Sequence, residues 1–372
     1  MKIIHFSDTH LGFSEYTRID PETAINQREK DFYNAWQTII TAILETAPAL
    51  VVHAGDLFHT TRPTNRALAI ALEGIQKISN AGIPFVLISG NHSTPKIKAT
   101  GSIFEAISLF PNVFAAYGSR YEKFHIGDCD VHCVPHCSLS EELEQAFDAI
   151  EIDPDVKYNV LVSHGSWAGA RTYSMGEFNE QLIPNPEAKL GKVFNYIALG
   201  HYHKHIHIDD HIVYSGSIER TSFNEAGYSS GYMLVDLAAS THDYIPIASR
   251  NMIKLPTLDC DSLSAFEIYR ELEKLSGPEL EQSLVSLELN NIQHDTLIAL
   301  DWQKIDSIFQ QVFHLEKIIR QKVQDGNQLM GASMDALPIE FERYLERQEF
   351  SNLDKARLKG LGLAYLSNAI DE

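Results

Sequence analysis

Residues 2–12 read KIIHFSDTHLG: Ile3, Ile4 and Phe6 form a short apolar run, and a polar turn carrying Asp8 and His10 follows. A run this apolar suits a strand covered on both faces. The same arrangement returns four more times. Leu50–Ala54 leads into Gly55 and Asp56, and Phe85–Ile88 leads into Ser89, Gly90, Asn91 and His92. Val160–Val162 leads into Ser163 and His164, and Tyr196–Leu199 into Gly200, His201, Tyr202 and His203. Between the first three runs, Phe32, Ala35, Trp36, Ile39, Ile40 and Ile43, then Leu68, Ala71, Leu72, Ile75 and Ile78, recur at intervals of three and four, which predicts two amphipathic helices. Strand-then-helix alternation through about residue 250 predicts a layered α/β domain.

Every one of the five turns presents side chains that ligate metals. Ligands of α/β sheets sit at the carboxyl ends of the strands, so Asp8, His10, Asp56, Asn91, His92, His164, His201 and His203 are expected to converge in one crevice. Carboxylate and amide oxygens mixed with imidazoles suit Mn, Fe or Zn better than Mg or Ca. The chain has 17 His, and a lone one is by default a packed or surface residue. D-x-H, G-D, G-N-H, S-H-G and G-H-x-H falling in order after strands is a far more specific pattern. His5, His53, His125, His132, His136, His242, His294 and His314 lack it and are expected to be structural, with His205 and His207 on a polar strand face.

Beyond Arg250 the texture changes. Ser262–Leu275 and Ile305–Val323 read as helices around a Leu284–Leu289 strand, 326–337 as a linker, and Ile339–Ala369 as helical. The expected domains are therefore 1–250, a small α+β unit over 251–325, and a linker with C-terminal helices over 326–372.

Composition bounds the partners. Of 372 residues, 30 are Lys or Arg and 50 Asp or Glu, a net charge of −20, which excludes a generic polyanion binder. With 44% hydrophobic residues the chain is not disordered wholesale. Cys129, Cys133, Cys137 and Cys260 are too few for a disulfide scaffold and read as free buried thiols. The first apolar run stops at Ser7 and Asp8, too short for a signal-peptide core, and no run of 18 apolar residues exists, so the expectation is a cytoplasmic protein without a membrane span.

SDTHLG (7–12), AGDLF (54–58), SGNH (89–92), VSHG (162–165) and LGHYH (199–203) resemble the five motifs of the calcineurin-like metallophosphoesterases. That resemblance implies a β-sandwich flanked by helices. NQREKDF (26–32), GDLFHTTRPTNRAL (55–68) and YSGSIERTSFNEAGYSSGYMLVDL (214–237) are similar to the SbcD-type nucleases of double-strand-break repair, and the layout beyond 250 matches their capping domain and partner-docking segment. The resemblance implies one metal on Asp8, His10, Asp56 and His203, another on Asp56, Asn91, His164 and His201, and His92 as the catalytic acid beside the scissile phosphate. It further implies two Mn²⁺ ions, 3′-to-5′ exonuclease action on duplex ends, endonuclease action on single strands and hairpins, a homodimer, and an SbcC-like SMC-type ATPase partner.

Two divalent ions would bring +4 against −2 from Asp8 and Asp56, so an acidic chain can still bind a phosphate there. Arg62, Lys96, Arg171 and Lys204 are the candidate DNA contacts. The third motif departs from the family: GNHD becomes GNHS, so Ser93 stands where a carboxylate would orient His92, and Ser93→Asp is expected to raise turnover. His59 stands where the second motif often has Asp and is given no role. The competing readings are a phosphatase or small-molecule phosphodiesterase and a non-catalytic DNA-end scaffold.

Overall fold

The computed structural model describes residues 1–95, 101–168, 180–322, 341, 345 and 355–368. Two six-stranded sheets carry the site. The first runs in the order β14-β13-β1-β2-β3-β4: β1 is Lys2–Phe6, β2 Leu50–His53, β3 Phe85–Ile88, β4 Val113–Ala116, β13 Gly231–Asp236 and β14 Thr241–Pro246. The second runs β11-β12-β10-β7-β6-β5: β5 is Glu122–Ile126, β6 Cys129–Val134, β7 Tyr158–His164, β10 Tyr196–Gly200, β11 Ile206–Asp209 and β12 Ile212–Tyr214. Strands β1, β2 and β3 are mutually parallel, as are β7 and β10, and the short strands β8 (Ser166–Trp167) and β9 (Leu182–Ile183) pair with each other.

Period-two alternation explains the layering. From β1 and β2, Ile4, Phe6 and Val51 face helices α1 (Gln27–Thr46) and α2 (Asn65–Asn80), against Trp36, Ile39 and Ile75. Their neighbours Ile3, Leu50 and Val52 face the second sheet, against Val160, Val162 and Ala198. On the far side, Leu161, Ile197 and Leu199 pack on Leu143 and Phe147 of the Ser140–Asp148 helix. Strands buried on both faces need continuous apolar runs, which is what the sequence contains. The side chains of Asn26 and Thr64 cap α1 and α2 by accepting from the next backbone N–H groups. The helices meet closely: a Cβ on Gly74 would lie 2.5 Å from Trp36 Nε1.

The five strands expected from the sequence are present, and β7 extends to His164 itself. The predicted Ile305–Val323 helix is not. Trp302–Ile308 is helical, but His314–Gln321 is a strand. Backbone pairing decides this, since Phe313 N–H donates to Ser283 C=O at 2.8 Å, and the β-branched Ile318 and Ile319 tolerate a strand as readily as a helix. The predicted linker at 326–337 lies outside the described residues, and Lys355–Asn368 is helical.

The chain forms two compact units. Of the described residues, one unit comprises those of Met1–Pro256, Glu271–Leu287 and Trp302–Ile318; the other draws on Thr257–Arg270, Glu288–Asp301 and those from Ile319 onward. Among the described residues, no helix is long and apolar enough to cross a membrane.

Candidate metal centre

The carboxyl ends of β1, β2, β3, β7 and β10 bring all eight expected side chains to one edge of the sandwich. Asp8, His10, Asp56, His164, His201 and His203 are each at most 4% exposed, while Asn91 and His92 are half-buried. The turns after β1 and β2 are laced together: Asp8 N–H donates to Gly55 C=O at 3.0 Å and His10 N–H to Asp56 C=O at 3.0 Å. Asp8 (φ 51°), His10 (φ 41°), Asp56 (φ 55°) and His201 (φ 104°) all occupy left-handed backbone conformations. Each is unfavourable for an L residue with a Cβ, and four together mark a site where backbone strain fixes where side chains point.

The donors form two overlapping groups. Ligand atoms of Asp8, His10 and His203 lie within 4.8 Å of one another, as do those of Asp8, Asp56 and His164. His164 Nδ1–H donates to Ala54 C=O at 2.8 Å, so its Nε2 faces Asn91 Oδ1 at 2.9 Å and Asp56 Oδ2 at 3.2 Å. His203 Nδ1–H donates to Glu225 Oε1 at 2.9 Å, and its Nε2 lies 3.0 Å from His10 Nε2. At His203 the proton on Nδ1 leaves the Nε2 lone pair facing His10, and at His164 Nε2 is turned toward two oxygen acceptors, so nitrogen and oxygen donors crowd together as they do around a cation. The donor set therefore fits two divalent ions.

Electrostatics agree. Burial pushes the Asp8 carboxyl up, whereas Asp56, although burial would raise it too, is held far below the usual range by His164. Burial would lower His164, yet the Asp56 and Asp8 carboxylates beside it raise its pKa to about 9. Burial and the neighbouring His203 drive His10 well below its ordinary value.

His92 N–H donates to Asp56 Oδ1 at 2.9 Å, and its ring Nδ1 lies 2.9 Å from His59 C=O. The ring meets His10 edge-on at 4.8 Å and stacks on His59 at 5.2 Å. Ser93 is 1% exposed and turns its hydroxyl to Phe58 C=O at 3.5 Å. Gly90 is required here, because a Cβ on it would fall 2.3 Å from Asp56 Oδ1.

Of the candidate DNA contacts, Arg62 and Lys204 are exposed, the latter 5.5 Å above the Tyr228 ring; Lys96 and Arg171 lie outside the described residues. Sequence reading missed His59, whose Nδ1 is 3.4 Å from His10 Nδ1 and whose ring atoms group with those of His10 and His92. It also missed Glu225, held by the Thr221 hydroxyl at 2.5 Å in the Phe223–Glu225 turn. The available signal was an acidic residue inside the FNEAGY stretch (223–228), far in sequence from its histidine partner.

A family model described as Calcineurin-like phosphoesterase matches residues 1–205. Among characterised proteins, "DNA double-strand break repair protein Mre11" of Thermoplasma acidophilum is 27% identical over 323 residues, covering 82% of this chain and 81% of that protein. The protein of the same name from Methanococcus maripaludis is 27% identical over 270 residues, covering 68% of each. The Methanocaldococcus jannaschii protein is 27% identical over 253 residues, covering 65% of this chain and 64% of its own. With its matched strands, turns and donor groups, the chain belongs to the calcineurin-like phosphoesterase family and is a metal-dependent phosphodiesterase.

Proposed function

We propose that this chain is the nuclease subunit of an SbcCD-like DNA repair complex, Mn-dependent, acting 3′ to 5′ on duplex ends and endonucleolytically on single strands and hairpins. The observation that carries this reading is the convergence of His164 Nε2 with Asp56 Oδ2 and Asn91 Oδ1, beside His10 Nε2 and His203 Nε2, at one edge of the sandwich. Similarity to relatives named for double-strand-break repair supports DNA as the substrate.

Asp8, His10, Asp56 and His203 hold one ion, and Asp56, Asn91, His164 and His201 the other. When bound, such a pair clamps a phosphodiester and supplies an activated water. His92, with Nδ1 tied to the His59 carbonyl, presents Nε2 to the departing oxygen and donates its proton there. His59, stacked on that ring, shapes the same face of the phosphate site. Arg62, Lys204, Lys96 and Arg171 contact the DNA backbone, residues 251–325 cap the duplex, and 326–372 dock an SMC-type ATPase. The working form is a cytoplasmic homodimer.

The test is release of end label from a linear duplex by the purified chain with Mn²⁺, then with EDTA, and with Asp56→Ala as contamination control. Release that requires both metal and Asp56 supports the nuclease. Metal binding and small-diester cleavage without label release points instead to another substrate or to an obligatory ATPase.

A further inference from the structure

We propose that Glu180 is a positioning residue for the second metal site, as Glu225 is for the first; the inference rests on the two-ion reading above. Glu180 Oε1 accepts the Ser166 hydroxyl at 2.5 Å and the Tyr202 hydroxyl at 3.4 Å, and it lies 3.6 Å from His201 Nε2. The two hydroxyls are themselves 2.9 Å apart. The Glu180 side chain is 15% exposed and that of His201 2%.

The placement ties one carboxylate to two motifs. Ser166 stands two residues beyond His164, and Tyr202 stands between His201 and His203, with its ring packed edge-on against His201 at 5.3 Å. Glu180 therefore braces the segments that deliver both imidazoles of the second ligand set. Nε2 is the His201 nitrogen that faces it, which leaves Nδ1 for the ion. An imidazole bearing a cation is a stronger N–H donor, and a carboxylate behind it fixes the tautomer and raises the basicity of the ligating nitrogen.

Glu225 repeats the device at His203. It faces Nδ1 at 2.9 Å and is braced by a hydroxyl of its own, Thr221. Because the two carboxylates back different histidines of one G-H-x-H turn, each tunes one ion of the pair.

Calorimetric titration of the full chain with Mn²⁺ tests this. Wild type should show two sites. Glu180→Gln, which keeps the shape and the acceptor for Ser166, should weaken one site about 10- to 100-fold and leave the other; Glu225→Gln should weaken the other one. Glu180→Asp keeps the charge and should fall between Glu180→Gln and wild type, with the metal-free melting temperature reporting folding in each case. If Glu180→Gln binds both ions like wild type, or if Glu180→Asp is no better than Glu180→Gln, Glu180 only props Ser166 and Tyr202 and the assignment is overturned. A wild-type chain with fewer than two sites overturns the two-ion reading, and this inference with it, before any variant is compared.

Discussion

His92 Nδ1 lies 2.9 Å from the backbone carbonyl oxygen of His59. A carbonyl only accepts, so that nitrogen carries a proton and the main chain orients the ring. Ser93, buried and turned toward Phe58 C=O, does not carry that task. Ser93→Ala should keep kcat/KM on a small diester within about threefold, whereas His92→Ala should lower it by about 10²–10³ with Mn²⁺ binding intact. This replaces the gain that the motif comparison assigned to Ser93→Asp: a carboxylate pressed toward Phe58 C=O should cost about 1–3 kcal/mol in urea unfolding. A tenfold loss in Ser93→Ala would hand the orienting role back to its hydroxyl.

Metal loading should expel a proton from His164. Its pKa in the metal-free chain is raised from 6.5 to about 9, burial being outweighed by Asp56. The folded value exceeds the unfolded one, so this contribution to metal-free stability is complete below pH 6.5 and disappears as pH rises through about 9. An ion needs the Nε2 lone pair. Titrations near neutral pH in buffers of different protonation enthalpy should therefore show about one proton released, with affinity rising up to tenfold per pH unit until about pH 9. Zero release would mean a neutral His164 before loading.

Gly90→Ala should separate folding from metal binding. The added Cβ meets Asp56 Oδ1 at 2.3 Å and the Asp56 backbone nitrogen at 2.7 Å, so the turn that carries Asp56 must shift, and the carboxylate cannot follow without breaking its bonds to His92 N–H and His164. Manganese affinity should drop at least about tenfold while far-UV circular dichroism stays unchanged. Wild-type affinity would show that the Asp56 turn shifts without displacing the carboxylate from the ion.

The strands and the ligands were legible because one local pattern, an apolar run ending in a ligand turn, encodes both at once in KIIHFSDTH and its four repeats. The two-sheet layering was not encoded in that way. It came from the resemblance, since a run buried on both faces does not say whether helices or a second sheet cover it. Glu225, Glu180 and His59 were illegible for a different reason: each acts through a partner fixed by tertiary packing, such as Glu225 on His203 or His59 on His92. His314–Gln321 was misread because Leu315, Ile318 and Ile319 satisfy a helical spacing, and the pairing of Phe313 with Ser283 settles the matter only in three dimensions.

Arg28 and Glu219 are partners: a guanidinium nitrogen of Arg28 lies 3.4 Å from Glu219 Oε1. Arg28 also donates to Asp31 at 2.7 Å and to Arg220 C=O at 2.6 Å, while Arg250 grips the same Asp31 through both of its carboxylate oxygens. Arg28 and Glu219 are each 1% exposed, so these residues bind each other and not substrate. The network anchors α1 to the segment that leads to Glu225, which places it two steps behind a metal ligand. Asp31→Ala leaves Arg28 buried with half its charge compensation and should cost about 3–5 kcal/mol in urea unfolding. Replacing Arg28 with Met and its other partner Glu219 with Gln in that background leaves no stranded charge and should recover more than half of the loss. If the triple variant is no more stable than Asp31→Ala, the cost lies in lost packing and not in an unpaired guanidinium.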